Sequence, residues 1–211
     1  STPGATNYSR YYRELSLDSA RALTRYTADG VDYEREVITS FADSVITIHL
    51  TASQPGRITF NANFASPHDD VIISSDGDEV TLQGVTSKLE GCKGKVRFMG
   101  RMTASTKGGQ LSSRDGILTV TGTDEATIYI AIATNFVNYK DISGDEKARS
   151  EHQLRTAMTH DYASARRRHV AIYRSMLTRA SLFLGADSHP SMATDERLAA
   201  FRDADDNWLC A

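Results

Sequence analysis

Side chains alternate in character along three successive stretches near the start of the chain. Residues 20–27 read ARALTRYT, residues 31–41 alternate from Val31 to Phe41, and residues 45–51 read VITIHLT. Alternation with a period of two predicts strands that present two different faces. Asp29-Gly30 separates the first two runs, and this pair is typical of a type I′ hairpin turn, which needs positive φ at both central residues. The stretch therefore predicts an antiparallel meander.

Shorter alternating runs continue to residue 133 and are separated by turn-forming residues. Gln54-Pro55-Gly56 has the Pro and Gly spacing of a type II turn, and Asp115-Gly116 repeats the hairpin signal. Thr127–Ala133 (TIYIAIA) is apolar on both faces, which predicts a central strand covered on both sides. About ten short strands predict a mainly β fold, an antiparallel β-sandwich. The other runs are residues 58–64, 71–73, 79–85, 95–104 and 117–120, whereas residues 1–10 are expected to be an irregular lead-in.

The pattern changes to a helical period after residue 146. Residues 147–179 contain no Gly or Pro, and apolar or ring side chains recur every three or four positions. This spacing predicts one long amphipathic helix of about 30 residues. Residues 181–184 are expected to form a short extended segment, and Thr194–Leu198 to begin a second helical piece. The apolar stripe consists of Leu154, Met158, Tyr162, Ala165, His169, Ile172 and Met176.

Charge is unevenly distributed along the 211 residues, although the net charge is only −3. Residues 147–180 carry eight basic and two acidic side chains, whereas the segments on either side are acidic overall. A basic helix between acidic segments is typical of an internal docking element, and no groove-reading motif accompanies it. We therefore expect no nucleic-acid partner. We also expect no membrane partner, because no apolar run approaches the roughly 20 residues needed to span a bilayer.

Few residues offer catalytic or metal-binding chemistry. His49 lies in mid-strand, where a surface position is the simplest interpretation, and His68-Asp69-Asp70 is a loop that could bind a metal or act in acid–base catalysis. Lys107-Gly108-Gly109 lacks the strand–loop–helix context of a phosphate-binding loop and is predicted to be a turn. Cys92 and Cys210 have the spacing of neither a zinc site nor a disulfide framework, and we expect them to be structurally incidental.

Two further candidates lie on the predicted helix. His160-Asp161 is not part of an HExxH metal motif, and Arg166-Arg167-Arg168-His169 could contact phosphate but fits a solvated or docking face better. A glycosidase needs two carboxyl groups on either side of the scissile bond, and spacing singles out no such pair here. The residues alone predict a non-catalytic globular module with no catalytic, cofactor-binding or metal-binding residue.

A set of phrases spread over nearly the whole chain carries a resemblance to a known family. The phrases are Tyr12–Leu15 with Leu17-Asp18, residues 26–31, Tyr33–Glu36, Asp43, Val45-Ile46, Pro55-Gly56, Lys93–Phe98 and Ala126–Gly144. Together they resemble the N-terminal β-sandwich domain of glycoside hydrolase family 95, the α-L-fucosidase type. Residues 169–185 look like the linker between that family's sandwich and its catalytic barrel, and residues 194–201 look like the lead into the barrel.

The resemblance implies three segments. Residues 1–146 would form a partial super-sandwich whose opening part is missing, residues 147–185 a linker helix with a short extended segment, and residues 186–211 the start of the lead into an (α/α)6 catalytic domain. The parent protein is implied to be an inverting hydrolase of terminal α-L-fucosyl linkages, with its catalytic residues in the barrel and no cofactor.

The partners implied by the resemblance are the barrel of the same protein and, through the parent enzyme, a fucosylated oligosaccharide. The function predicted for this chain is therefore to buttress the barrel without taking part in catalysis. The alternative is a carbohydrate-binding β-sandwich without hydrolase activity. Such a module would need a row of exposed aromatic side chains, and Tyr11, Tyr12, Tyr26 and Tyr33 are the cluster that offers one.

Overall fold

The computed structural model describes residues 7–183, 187 and 191–201. Within these residues, eleven strands are followed by three helices. The strands are β1 Tyr8–Ser16, β2 Arg21–Ala28, β3 Val31–Ser40, β4 Val45–Ala52, β5 Ile58–Asn63, β6 Val71–Asp76, β7 Glu79–Val85, β8 Arg97–Lys107, β9 Gln110–Arg114, β10 Ile117–Thr123 and β11 Glu125–Thr134. The helices are α1 Glu146–Ala157, α2 Tyr162–Leu177 and α3 Thr194–Ala200.

The strands form two antiparallel sheets of unequal size. The large sheet has eight strands in the order β1-β2-β3-β4-β11-β8-β7-β6, and the small sheet has three in the order β5-β10-β9. The predicted hairpin turns are confirmed, because Asp29 and Gly30 have φ of 51° and 74° and Asp115 and Gly116 have φ of 52° and 77°. The expected mainly β, antiparallel architecture is therefore confirmed.

The strand β11 lies at the centre of the protein, paired with β4 on one side and β8 on the other. Ala126 and Ile128 point into the core between the sheets, together with residues of β5 and β10. On the opposite face of β11, Tyr129 and Ala131 pack with Leu154 of α1. The prediction that TIYIAIA forms a central strand covered on both faces is confirmed.

The alternation pattern did not predict two of the strands, β1 and β9. β1 begins at Tyr8, so the expected irregular lead-in is wrong from that residue onwards. Its pairing with β2 shifts register between Ser9 and Tyr12, where Arg10 has a φ of 51°, and this bulge interrupts the alternation. β9 was missed because Leu111 is its one apolar residue, which pairs with Val120 of β10.

The single long helix predicted over residues 147–179 is wrong, because α1 and α2 are separated by residues 158–161. Thr159, His160 and Asp161 have low helix propensity, and the Thr159 hydroxyl donates to the Thr156 carbonyl at 2.8 Å. Asp161 then caps α2, since its carboxylate accepts the backbone N–H of Ser164 at 2.6 Å. The chain can therefore turn without Gly or Pro.

The chain divides into two compact units, residues 1–175 and residues 176–211. The first unit contains both sheets, α1 and most of α2. The second contains α3, which confirms the helical piece expected from Thr194, and an ion pair of 2.5 Å between Arg197 and Asp187. Residues 181–183 have no regular secondary structure, and residue 184 of the expected extended segment lies outside the described residues. No described helix is both long enough and apolar enough to cross a membrane.

We expect the two ends of the apolar helical stripe to respond differently to a buried charge. Leu154 is fully buried, whereas Ile172 is 39% exposed. Leu154→Asp should lower the free energy of unfolding by about 4 kcal/mol or more, because an unpaired carboxylate would replace a core side chain. Ile172→Asp should cost less than about 1 kcal/mol. Urea denaturation followed by circular dichroism measures both values, and equal costs would contradict this placement of the stripe.

Candidate functional site

A cluster of ionisable side chains lies between the outer face of the large sheet and α2, with Glu36 at its centre. Glu36 is 4% exposed. Its carboxylate accepts a hydrogen bond from Arg21 at 2.5 Å and another from Arg166 at 2.7 Å. The Tyr162 hydroxyl donates a third. One buried carboxylate therefore joins β2, β3 and the first turns of α2.

The periodicities of strand and helix bring these groups together. On β3, Glu36 shares one face of the strand with Ile38 and Ser40, which are also buried. On α2, Tyr162 and Arg166 are four residues apart and therefore lie on the same side of the helix. The cluster follows from placing one helix face over one strand face.

The pKa values in this cluster lie away from neutrality. Burial on its own would raise the pKa of Glu36, but hydrogen bonds from Tyr162, Arg21 and Arg166 outweigh it and hold that pKa below its ordinary value. Burial and the hydrogen bond to Glu36 raise the pKa of the Tyr162 phenol. A general acid or base works best with a pKa near the operating pH. A carboxylate that is ionised and a phenol that is protonated at neutral pH are instead suited to holding the helix on the sheet.

His49 belongs to the same interface, so the expected surface position is wrong. Its ring stacks on Tyr162 with the centroids 3.8 Å apart, and its Nδ1 lies 3.0 Å from the Thr127 hydroxyl. Its side chain is 14% exposed because α2 covers this face of β4. Burial lowers the pKa of His49, against the opposing charge of Glu125. The neutral imidazole therefore packs as a flat ring beneath the helix.

A second clamp of the same design fixes α1. The buried carboxylate of Glu79 accepts hydrogen bonds from Arg101 of β8 at 2.5 Å and from Arg155 of α1 at 3.0 Å. Arg101 also donates to the Ser150 hydroxyl of α1 at 3.2 Å. The helices α1 and α2 are therefore each held by a buried glutamate that is shared between one arginine of the sheet and one of the helix.

Further ion pairs extend along α2. Arg168 lies 2.8 Å from the buried carboxylate of Asp43, and Arg174 pairs with Asp18. The His169 ring donates to the backbone carbonyl of Ala20 at 3.0 Å. The prediction that the basic segment is an internal docking element is confirmed, because four of its arginines pair with carboxylates of the strands and of the turns between them.

The remaining candidates have local structural roles. The His68 ring accepts the backbone N–H of Ser87 at 3.1 Å, and Asp161 caps α2. Lys107-Gly108-Gly109 forms the predicted hairpin turn between β8 and β9. Cys92 is an exposed free thiol, and Cys210 lies outside the described residues. Among the residues that the structure describes, no three His, Cys, Asp or Glu side chains are grouped to hold a metal ion.

A groove of about 430 Å³ lies on the inner face of the large sheet, beside the free edge of β5. It brings together Tyr11, Tyr26 and Tyr33 from the predicted aromatic cluster and adds Tyr8. The rings of Tyr26 and Tyr33 stack with centroids 5.2 Å apart. Tyr12 is not part of the groove, because it points to the other face and donates to Glu14 at 2.9 Å. The floor of the groove is apolar and is formed by Ile48, Leu50, Ile58, Phe60 and Ile128.

The fold is a two-layer antiparallel β-sandwich with two helices held on the outer face of its large sheet. A comparison with known protein families shows which sandwich domain this is. The chain belongs to the family described as glycosyl hydrolase family 65, N-terminal domain, which matches residues 1–139. A glycoside hydrolase N-terminal domain is therefore the identity of this chain. The matched family is family 65, so this match does not show the finer assignment to family 95.

Similar proteins include one matched by sequence and one matched by structure. The chain is 26% identical to alpha-L-fucosidase 2 of Arabidopsis thaliana over an alignment of 227 positions, which covers 94% of this chain and 27% of that protein. It also has the fold of a putative kojibiose phosphorylase from human microbiome, with a TM-score of 0.61, 11% identity and coverage of 88% of this chain and 27% of that chain. The chain thus spans about a quarter of the length of both proteins.

Glu36 gives a test of the clamp. Glu36→Gln should lower the free energy of unfolding by about 3 kcal/mol, because Arg21 and Arg166 would lose their buried counter-charge. The matched control is Glu34→Gln on the same strand, whose pair with Arg25 is exposed and should contribute less than about 1 kcal/mol. Chemical denaturation at neutral pH measures both. Similar costs for the two variants would contradict the assignment of a special role to Glu36.

The pH dependence of stability gives a second measurement on the same variant. The pKa of Glu36 is lowered by folding, so its contribution is fully present above the ordinary glutamate value of about 4.3 and is lost as the pH falls through the lowered value. The wild-type chain should therefore lose stability more steeply than Glu36→Gln below about pH 4. Free energies of unfolding that fall in parallel for the two proteins below about pH 4 would contradict this prediction.

Proposed function

We propose that this chain is the non-catalytic N-terminal module of an α-L-fucosidase-like hydrolase of the family 95 type. The observation that carries the proposal is the 26% identity to alpha-L-fucosidase 2 along 94% of the chain. The parent protein would hydrolyse terminal α-L-fucosyl linkages with inversion, and the acid and base would be supplied by an (α/α)6 barrel. The present chain would buttress that barrel.

The clamped helices support a role in rigid positioning. Residues 147–185 would form the linker between sandwich and barrel, and its first part is fixed to the sheet through Glu79 and Glu36. A linker held by buried hydrogen bonds to charged groups loses little further conformational entropy when a second domain is attached. Arg155, Tyr162 and Arg166 are engaged in this attachment, which agrees with a supporting function.

We also propose that further strands of the parent protein complete the sandwich of residues 1–146. The small sheet has three strands against eight in the large one, and the outer edge of β5 has no partner strand in the described part of the chain. On the half of the large sheet that faces this edge, Ile46 and Ile48 are only partly buried and Ile132 is 55% exposed. An unpaired edge beside an apolar face favours the addition of a strand.

The supporting role predicts that the purified 211-residue chain releases no fucose from an aryl α-L-fucoside. The same chain joined to its barrel should release fucose with inverted configuration at the anomeric carbon, which NMR of the first product detects. Release of at least one mole of fucose per mole of the chain alone would overturn the proposal, because the catalytic groups would then lie within these residues.

The second candidate function is glycan binding, and the specific observation for it is that Tyr8, Tyr11, Tyr26 and Tyr33 line one groove. Aromatic faces stack on the apolar faces of sugars, and pockets of this kind bind ligands with a few polar groups. Calorimetric titration of the chain with a fucosylated oligosaccharide tests it. The buttressing role predicts no saturable heat. Saturable binding that Tyr26→Ala abolishes and the control Tyr12→Ala leaves intact would establish glycan binding instead.

A further inference from the structure

The ring of His49 lies directly beneath the start of α2. It stacks on Tyr162 with an interplanar angle of 9° and a centroid separation of 3.8 Å. Tyr162 is the first residue of α2 and also one of the donors to Glu36, so the stack joins the first turn of the helix to the sheet. A change in the charge of His49 would therefore act at the point where α2 is attached.

The surroundings of His49 suit the neutral ring. Its Nδ1 lies 3.0 Å from the Thr127 hydroxyl, whereas its Nε2 lies 3.7 Å from a carboxylate oxygen of Glu125, which is too far for a hydrogen bond. An imidazolium has two N–H donors, and both need a partner when the ring is buried. The positive end of the α2 dipole also lies at Tyr162, over the ring. Protonation in place would thus leave one donor without an acceptor beneath a helix N-terminus.

Three carboxylates act on His49 in the opposite direction. Glu125 of β11 favours the charged ring, as do Glu36 and Glu34 of β3. The two glutamates of β3 are already paired with cations, which weakens their pull on the ring. Burial outweighs all three charges, and the pKa of His49 lies below its ordinary value. The cations are Arg21 and Arg166 at Glu36, and Arg25 at Glu34.

Mild acid therefore works against this interface. A histidine whose pKa is lowered by folding contributes fully to stability above the ordinary value of about 6.5, and the contribution is lost as the pH falls from there to the lowered value. This window lies above that of Glu36, whose contribution is lost only below about pH 4.3. The response of His49 can thus be measured while Glu36 is still ionised.

We propose that His49 is a pH-sensitive release for α2, in which the neutral ring holds the first turns of the helix on the sheet and the protonated ring moves out of the stack towards Glu125 and frees them. The inference goes beyond the proposed function, because it concerns the regulation of helix attachment within the present chain. It requires neither a catalytic domain nor a glycan, so it can fail while the proposed function stands.

The test is amide hydrogen exchange of the 211-residue chain at about pH 7.5 and about pH 5, with each rate divided by the intrinsic exchange rate at that pH. The protection of the α2 amides of residues 166–170 should fall about fivefold or more at the lower pH. The amides of α1 should keep their protection, because its clamp consists of Glu79, Arg101 and Arg155 and contains no ring that titrates in this range.

Two substitutions remove the titrating group. His49→Phe keeps a flat ring against Tyr162, and His49→Gln keeps a hydrogen-bonding group near Thr127. Both should abolish the pH dependence of α2 protection, because neither side chain can take up a proton. The matched control is His152→Gln, which removes an exposed histidine of α1 and should leave the full response of α2.

Each outcome decides the inference. Loss of α2 protection in the wild type and in His152→Gln, without loss in the His49 variants, supports the release. Equal α2 protection at both pH values in the wild type overturns it, and so does a fall that persists in either His49 variant, since another group such as His169 would then be responsible. A fall of equal size in α1 and α2 also overturns it, because the chain would then open as a whole. NMR titration of the wild-type His49 ring decides without a variant, since a pKa at or above about 6.5 would contradict the inference.

Discussion

The arrangement of this domain depends on two buried glutamates, Glu36 and Glu79, that are each shared between a strand arginine and a helix arginine. A carboxylate removed from water loses several kcal/mol of hydration, which only well-formed hydrogen bonds offset. Glu36 has three such donors and Glu79 has two. Sliding a helix by one turn would leave these charges without partners, so the clamps fix the helix register more sharply than apolar contact would.

The choice of arginine suits this geometry. A guanidinium presents several N–H groups in one plane, so Arg101 can bind Glu79 and the Ser150 hydroxyl at once. The small side chains of the helices complete the interface, since Ser150, Ala157 and Ala165 are all buried and allow the helices to approach the sheet closely. The helices therefore cover the outer face of the large sheet around Glu36, His49 and Glu79.

The sequence predicted those elements whose cause is local. The Asp-Gly turns follow from backbone sterics, and the two-sided apolar pattern of β11 follows from its coverage by core and helix. The break between α1 and α2 escaped prediction because Asp161 could be recognised as a cap only with knowledge of where a helix starts. The bulge in β1 concealed its period in the same way.

The clamps escaped prediction for a different reason. Glu36 stands on the buried face of an alternating strand, which is a signal for a paired charge, but its partners Tyr162 and Arg166 are more than a hundred positions away. The period of two fixes which face Glu36 occupies and leaves open what covers it. The Tyr cluster shows the same limit, since Tyr11 and Tyr12 are neighbours in sequence and point to opposite faces.

The two faces of the large sheet differ in how much they depend on charged side chains. The inner face relies on apolar packing, in which many side chains of similar volume can substitute for one another. The outer face combines apolar packing of Tyr129 and Ala131 against Leu154 with a few charge pairs that fix the helices. A substitution between apolar residues of the inner face can therefore be absorbed by repacking, whereas removing one charged partner on the outer face leaves a buried carboxylate with fewer hydrogen bonds.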